Sequence, residues 1–300
     1  VPENYTIFYT TSATESWEII PQSFTKNGSL HFFSGSFGEK WFQYAQKLKS
    51  QSEGYFFDNS EDVLSVIASK SDTKPEWLCL TQNETANASQ IRVEQLHLIR
   101  KMYADSLIAY DVTSSIGGAA LPFEAGDIWF GSVQKCLGLP AGLGLLICSP
   151  KAIAAAEEIG ENAHYNSALQ LIQNMAKYQT TCTPNVLGIY LLNRVLADMP
   201  PIDKVYEQLK LRAAKYYQWV ENASHFNPLV SNPINRSDTV IAVEGTAASV
   251  AKIKQQAKLH GILLGAGYGK WKETTFRIAN FPAIEEDEVN NLLQFLHNNA

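Results

Sequence analysis

Tyr110-Asp111-Val112-Thr113-Ser114-Ser115 and, one short apolar run later, Gly131-Ser132-Val133-Gln134-Lys135 are the stretches on which the reading of this chain turns. Each follows a run rich in apolar, β-branched or aromatic residues, Leu107–Tyr110 and Ile128–Phe130, the pattern of a strand buried on both faces. In an open α/β sheet, ligands collect beyond the carboxyl ends of the strands, where the loops converge. An acid and a lysine about two dozen residues apart on adjoining loops of that edge suit a flat cofactor that needs both. A carboxylate keeps a pyridinium nitrogen protonated, so that the ring withdraws electrons, and an amine takes the aldehyde carbon. The plain reading of the same two residues is a helix cap and a surface lysine, and for the pair taken alone that reading is the commoner.

Working outward, similar runs occur at Tyr5–Tyr9, Leu30–Phe33, Trp77–Leu80 and Gly144–Cys148. Stretches of helical period fill the gaps at Glu15–Phe24, Lys40–Lys49, Glu61–Lys70 and Val93–Tyr103. Strands alternating with helices predict an α/β domain with a mainly parallel sheet flanked by helices, spanning residues 1–199. Met199-Pro200-Pro201 punctuates the chain, and the pattern then changes. Residues 200–300 read as a smaller α+β domain: a helix over Lys204–Asn222, a strand near Thr239–Val243, a helix over Ala247–His260, a strand near Phe276–Ile278 and a last helix over Glu285–Asn298.

Three further features bear on chemistry. Thr11-Ser12-Ala13-Thr14 joins the first strand to a helix, where backbone N–H groups and the helix dipole receive a phosphate, although an ordinary N-cap fits equally well. The glycines of Ser34-Gly35-Ser36-Phe37-Gly38 let a loop approach a ligand, and Phe37 either stacks on a flat ring or fills the core. Thr275-Phe276-Arg277-Ile278 puts an arginine inside an apolar strand, so a carboxylate partner is expected, internal or belonging to a substrate.

Composition narrows the function classes. The 300 residues are 45% hydrophobic with a formal net charge of -6, which excludes disordered and fibrous classes and provides no basic field for nucleic acid or an anionic membrane. Cys79, Cys136, Cys148 and Cys182 form no C-x-x-C pair and suggest neither a zinc site nor a disulfide framework. The histidines are scattered singly, and no metal is assigned. No apolar run approaches the roughly 18 residues of a membrane span, and Val1-Pro2-Glu3-Asn4 lacks the features of a signal peptide, so a cytoplasmic location is expected.

At this point the chain resembles, in order and over essentially its whole length, the class V aminotransferases of the fold type I pyridoxal-phosphate enzymes, and within them the phosphoserine aminotransferase branch. Asp111-Val112-Thr113-Ser114-Ser115-Ile116-Gly117-Gly118 is similar to the family's aspartate motif. The stretch from Gly131 through Lys135 to Gly142 is similar to its lysine loop. Asn83-Glu84-Thr85, Cys182-Thr183-Pro184 and Arg277-Ile278-Ala279-Asn280-Phe281-Pro282-Ala283 resemble three further motifs.

The resemblance implies pyridoxal phosphate as cofactor. Lys135 and Asp111 would be catalytic, on the aldehyde and the ring nitrogen. Ser12, Ala13 and Gln134 would serve the phosphate, Thr85 the ring oxygen and Phe37 the ring face. Thr183 would reach the phosphate of a partner subunit, so a homodimer is implied, with active sites at the subunit interface. Arg277 would grip the substrate α-carboxylate, and Lys270 or Lys272 would supply charge for a second anionic group. Two departures accompany these likenesses. Lys270-Trp271 stands where phosphoserine enzymes carry a His-Arg pair, and the chain starts after an upstream segment with a second such pair. The expected function is a phosphoserine:2-oxoglutarate aminotransferase of serine biosynthesis. The alternatives are an alanine– or serine–glyoxylate type aminotransferase and, from another class, a non-catalytic dimeric protein that keeps the fold.

Overall fold

The computed structural model describes residues 1–299. Its first part alternates as the periodicity predicts: β1 (Thr6–Thr10), α1 (Ala13–Ile19), β2 (Ser29–Phe33), α2 (Ser36–Leu48), β3 (Glu53–Phe56), α3 (Val63–Ala68) and β4 (Trp77–Thr81). A short hairpin follows, β5 (Asn83–Glu84) and β6 (Ser89–Gln90), then α4 (Val93–Met102), β7 (Leu107–Asp111), β8 (Ile128–Ser132) and β9 (Gly144–Cys148). The helices α5 (Pro150–Ile159), α6 (Ala168–Met175), α7 (Val186–Asp198) and α8 (Ile202–Asn222) lead to β10 (Phe226–Pro228), β11 (Val240–Gly245), α9 (Ala247–Leu259), β12 (Gly265–Ala266), β13 (Thr275–Ala279) and α10 (Glu286–Asn299).

The large sheet runs β1-β9-β8-β7-β4-β2-β3. Strands β3, β2, β4, β7 and β8 are mutually parallel, whereas β9 is antiparallel to both β8 and β1. Because β9 is reversed, β1 runs in the same sense as β8, and the carboxyl ends of β1, β8, β7, β4 and β2 share one edge. The first residue of β9 lies there too, Gly144 pairing with Ser132 on one side and Thr10 on the other.

Alternation along each strand divides the core into two layers. Leu78, Leu80, Ile108 and Tyr110 face α3, α4 and α7 through Ile67, Leu96, Ile99 and Leu192. Cys79, Ala109, Ile128 and Phe130 face α1, α2, α5 and α6 through Trp17, Trp41, Ala152 and Leu171. A second, antiparallel sheet, β10-β11-β13-β12, packs against α8, α9 and α10 through Val220, Ile241, Ile253, Phe276 and Leu296.

Two local readings change. The helix expected over Glu15–Phe24 is α1 followed by a π-helical segment, Ile20–Phe24, with Pro21 in its first turn. A proline has no N–H to donate, so the regular i→i−4 ladder is broken there. Strand β3 and the two-residue strands β5 and β6 carry too little periodicity to be read from sequence. The hairpin is nonetheless tied to the end of β7, since Gln82 N–H donates to Asp111 O at 2.9 Å and Ile91 N–H to Gln82 O at 2.8 Å.

Candidate active site

Asp111 is the last residue of β7 and is buried. Its Oδ1 accepts from Thr113 N–H at 2.9 Å and Thr113 Oγ1 at 2.6 Å. Its Oδ2 has only the indole N–H of Trp17, at a long 3.5 Å. Burial pushes this carboxyl above its ordinary range, and the Thr113 and Trp17 hydrogen bonds oppose that rise. One oxygen of a buried carboxylate is therefore barely satisfied, which favours a further donor.

Lys135 lies three residues beyond β8 and is half-buried. Its ammonium donates to Thr85 Oγ1 at 3.2 Å, and Thr85 Oγ1 also shares a hydrogen bond with Ser114 Oγ. Burial lowers the amine's pKa, and the positive charge of Arg277 lowers it further, against the upward pull of Asp111. Lys135 and Thr85 thus meet from two different loops, and Asp111, at the end of β7, is near enough to act on the lysine's charge.

The start of α1 meets the lysine loop directly. Ala13 N–H donates to Ser132 Oγ at 2.7 Å, and the N-cap Ser12 makes no side-chain cap bond of its own. Gly144 permits this approach: a Cβ there would stand 2.4 Å from Thr10 Oγ1 and 2.6 Å from the Ser12 carbonyl carbon. An acid shares the same turn, Glu15 Oε2 accepting from Thr11 N–H and Thr11 Oγ1, both at 2.8 Å.

Phe37 sits in the first turn of α2, its ring stacked on Tyr268 at a centroid distance of 5.1 Å. The buried carboxylate of Glu84 receives the backbone N–H groups of both Phe37 and Gly38. Glu84 and Ser114 stand in the sequence only as members of the Asn83-Glu84-Thr85 and Asp111–Gly118 motifs, with no role of their own, whereas Trp17 and Tyr268 carry no local signal and reach the site through long-range packing.

Arg277 is half-buried in β13. Of the two sources of a carboxylate left open, no internal one pairs with it among the described residues. Its Nε donates to Ala266 O at 2.8 Å and its Nη1 to Thr85 O at 2.7 Å, which anchor the guanidinium and commit neither to an anion. Lys270 and Lys272 are exposed, with the Lys270 ammonium 4.7 Å from the centre of the Trp271 ring. Gln134 is exposed beside Lys135, and Thr183 is exposed on the segment before α7, lining a small recess with Thr11, Glu15 and Gly142. A cavity of about 860 Å³ touches Thr85 and Arg277 and then runs away along β13 and α10, so neither Lys135 nor Asp111 lines it.

This donor set fits pyridoxal phosphate. A buried, under-satisfied carboxylate oxygen suits a ring N–H, a half-buried amine of lowered pKa suits an aldehyde, and a helix start with an uncommitted N-cap serine suits a phosphate. Comparison with known proteins agrees. The sequence model of the family described as "Aminotransferase class-V" matches residues 47–270. A curated phosphoserine aminotransferase from Rhodococcus opacus is 27% identical, covering 97% of this chain and 79% of its own length. A solved phosphoserine aminotransferase from Cytophaga hutchinsonii is 31% identical with a TM-score of 0.92, over 99% of this chain and 84% of that one. An alanine–glyoxylate aminotransferase from Nostoc sp. shares the fold at 17% identity, with a TM-score of 0.82 over 99% of this chain and 82% of that one.

Proposed function

The chain belongs to the class V aminotransferases, a family of fold type I pyridoxal-phosphate enzymes, and from that premise we propose that it transfers an amino group between phosphoserine and 2-oxoglutarate with pyridoxal phosphate held by its own residues. The observation that carries the reading is Arg277, a half-buried guanidinium fixed by two backbone carbonyls and paired with no carboxylate among the described residues. A substrate α-carboxylate is the partner it lacks.

The cofactor, when bound, supplies an electrophilic aldehyde carbon and an electron-withdrawing pyridinium ring. Asp111 holds the proton on the ring nitrogen. Its burial strengthens that bond because little water competes for the carboxylate. Lys135, whose amine burial and Arg277 both bias toward the neutral form, would take the proton from the substrate α-carbon as general base and hold it for return as an ammonium. Thr85 holds the lysine through its hydroxyl and the arginine through its carbonyl, so donor and base keep a common frame. Ser12, Ala13 and Gln134 are assigned to the phosphate, with Thr183 of a second copy. The exposed apolar face of α7, with Val186 and Leu187 each 67% and Tyr190 60% exposed beside that threonine, supports a homodimer.

Relatives named for phosphoserine support that substrate. One observation favours the alanine– or serine–glyoxylate reading instead: Lys270 and Lys272 are exposed, and the Lys270 ammonium lies over the Trp271 ring. The test has two parts. Borohydride reduction after incubation with pyridoxal phosphate should leave a pyridoxyl group on Lys135 and on no residue of Lys135→Ala. Single-turnover rates should then rank phosphoserine above alanine and serine; faster turnover of alanine with glyoxylate would transfer the assignment to the second reading.

A further inference from the structure

A carboxylate at 3% exposure with no ion-pair partner among the described residues is an expensive group to bury, and Glu84 is one. Its hydrogen bonds go to backbone alone. Oε2 accepts from Phe37 N–H at 3.0 Å and Gly38 N–H at 3.1 Å, and Oε1 accepts from Ala86 N–H at 2.8 Å. The N-cap of α2 is Gly35, which has no side chain to cap with, so Glu84, 46 positions beyond Gly38, performs the capping. A serine or aspartate at position 35 would satisfy a first-turn N–H locally and leave α2 independent of the hairpin. The contact is close enough to forbid any side chain there, since a Cβ on Gly35 would lie 2.4 Å from Glu84 Cγ and 2.7 Å from its Cδ.

The same hairpin grips the same loop twice more. Ser34 Oγ bonds Ser89 Oγ at 2.8 Å, and Asn87 Nδ2 donates to Ser34 O at 2.8 Å. Immediately after Glu84, Thr85 accepts from Lys135 through its hydroxyl and from Arg277 through its carbonyl. One dipeptide therefore ties together the aromatic ring, the amine and the guanidinium.

We infer that Glu84 is a positioning residue, which, through the N–H groups of Phe37 and Gly38, holds the Phe37 ring in register with Lys135 and Arg277 so that it can cover the face of the bound cofactor. This rests on the proposed function only in taking the ligand to be pyridoxal phosphate. Burial, which pushes the Glu84 carboxyl up to about 7, accords with a group retained for position at a cost.

The test uses Glu84→Gln in the full chain. Gln keeps the shape but has a single acceptor oxygen, so its amide hydrogens must face either Ala86 N–H or the pair at 37 and 38. Hydrogen exchange should rise at the amides of residues 37 and 38 while β7 and β8 keep their protection. Titration with pyridoxal phosphate should give a Kd raised roughly tenfold, the scale of one hydrogen bond to a charged group. In the Phe37→Ala background the same substitution should change Kd by less than about twofold, the non-additivity expected of residues acting as one unit. Equal, additive losses in both backgrounds, or unchanged exchange at 37 and 38, would overturn the proposal. A wild-type chain with no affinity for pyridoxal phosphate would instead overturn the functional reading beneath it. Where Glu84→Gln fails to fold, Glu84→Asp, which keeps the charge one methylene short, runs the same cycle with a smaller expected change.

Discussion

An arginine in the middle of an apolar strand has to find hydrogen bonds, and Arg277 donates two, to the carbonyl of Ala266 on the neighbouring β12 and to that of Thr85 in the turn between β5 and β6. These fix the plane of the guanidinium, so Arg277→Lys should fail to substitute: a point charge reproduces neither the anchoring nor two parallel bonds to a carboxylate. The expected loss is about 2–3 kcal/mol of transition-state binding, on the order of a hundredfold in kcat/KM for any amino-acid donor. Loss confined to substrates with a second anionic group would place Arg277 elsewhere in recognition. Asp111→Asn tests the other pole of the site. Asn retains hydrogen-bonding shape but removes the charge, so the half-reaction should slow by orders of magnitude in stopped-flow traces while pyridoxal phosphate stays bound. An unimpaired half-reaction would make the acid structural, a partner for Thr113 and Trp17.

At the scale of elements, the site depends on how closely α1 and β9 approach. Gly144 is the first residue of β9 and pairs with both Ser132 and Thr10, so any side chain there meets the Ser12 backbone as well as the Thr10 hydroxyl. Gly144→Ala should cost about 1–3 kcal/mol in denaturant titration, as overpacking does. Because the displaced atoms include the Ser12 carbonyl carbon, it should also weaken pyridoxal phosphate binding. A destabilised variant with wild-type cofactor affinity would show that the start of α1 takes no part in holding the phosphate. The π-helical stretch after α1 and the remote capping of α2 by Glu84 belong to the same scale: in both, the local sequence leaves a backbone need unmet, and a proline or a distant hairpin decides the outcome.

Two expectations concern the molecule as a whole. The apolar face of α7 should be covered by a second copy, so sedimentation should give a dimer, and Leu187→Asp should shift it toward monomer. A wild-type monomer at micromolar concentration would remove the shared site, including the assignment of Thr183. The second expectation is a pH dependence of stability. His31 lies in β2 with its imidazole edge-on to Trp41 at 5.0 Å and its Nε2 bonded to Ser29 Oγ at 2.8 Å, and burial lowers its pKa from 6.5 to about 3. Below pH 6.5 the unfolded chain binds a proton that the native one refuses. The His31 contribution is therefore complete above pH 6.5 and falls toward pH 3 by about 1.4 kcal/mol per unit. Glu84 has the opposite sign: its carboxyl, raised from 4.5 to about 7, costs stability above pH 7 and returns it as the pH falls to 4.5. The two offset one another in between. Subtracting the stability of His31→Gln from that of the wild type at each pH isolates the histidine, and a flat difference between pH 6.5 and 4 would contradict its burial as a neutral base.

Much of this molecule was already determined by the order of its residues. Short β-branched runs and the 3.6-residue period located the main strands and helices, because burying apolar surface at those spacings requires those conformations. An acid after one buried strand and a lysine after the next placed chemistry on one edge, since parallel strands carry their ends to the same side. What the sequence could not contain was everything set by distance in space rather than along the chain. The reversal of β9 brings Gly144 between Ser132 and Thr10, and no local pattern marks a strand's direction. Trp17 reaches Asp111 across 94 positions, and Arg277 reaches Thr85 across 192. Lys270 and Lys272, which the resemblance assigns to a second anionic group, lie exposed on the connection between β12 and β13, and their distance from a substrate is set by the fold rather than by their place in the chain. Glu84 is the clearest case: in sequence it is one acid in a short motif, and only the packing of a hairpin against the start of α2 turns it into the acceptor for three backbone N–H groups. Local propensity chooses elements, but a buried polar group is satisfied by whatever the fold brings to it, and that partner is decided by tertiary structure alone.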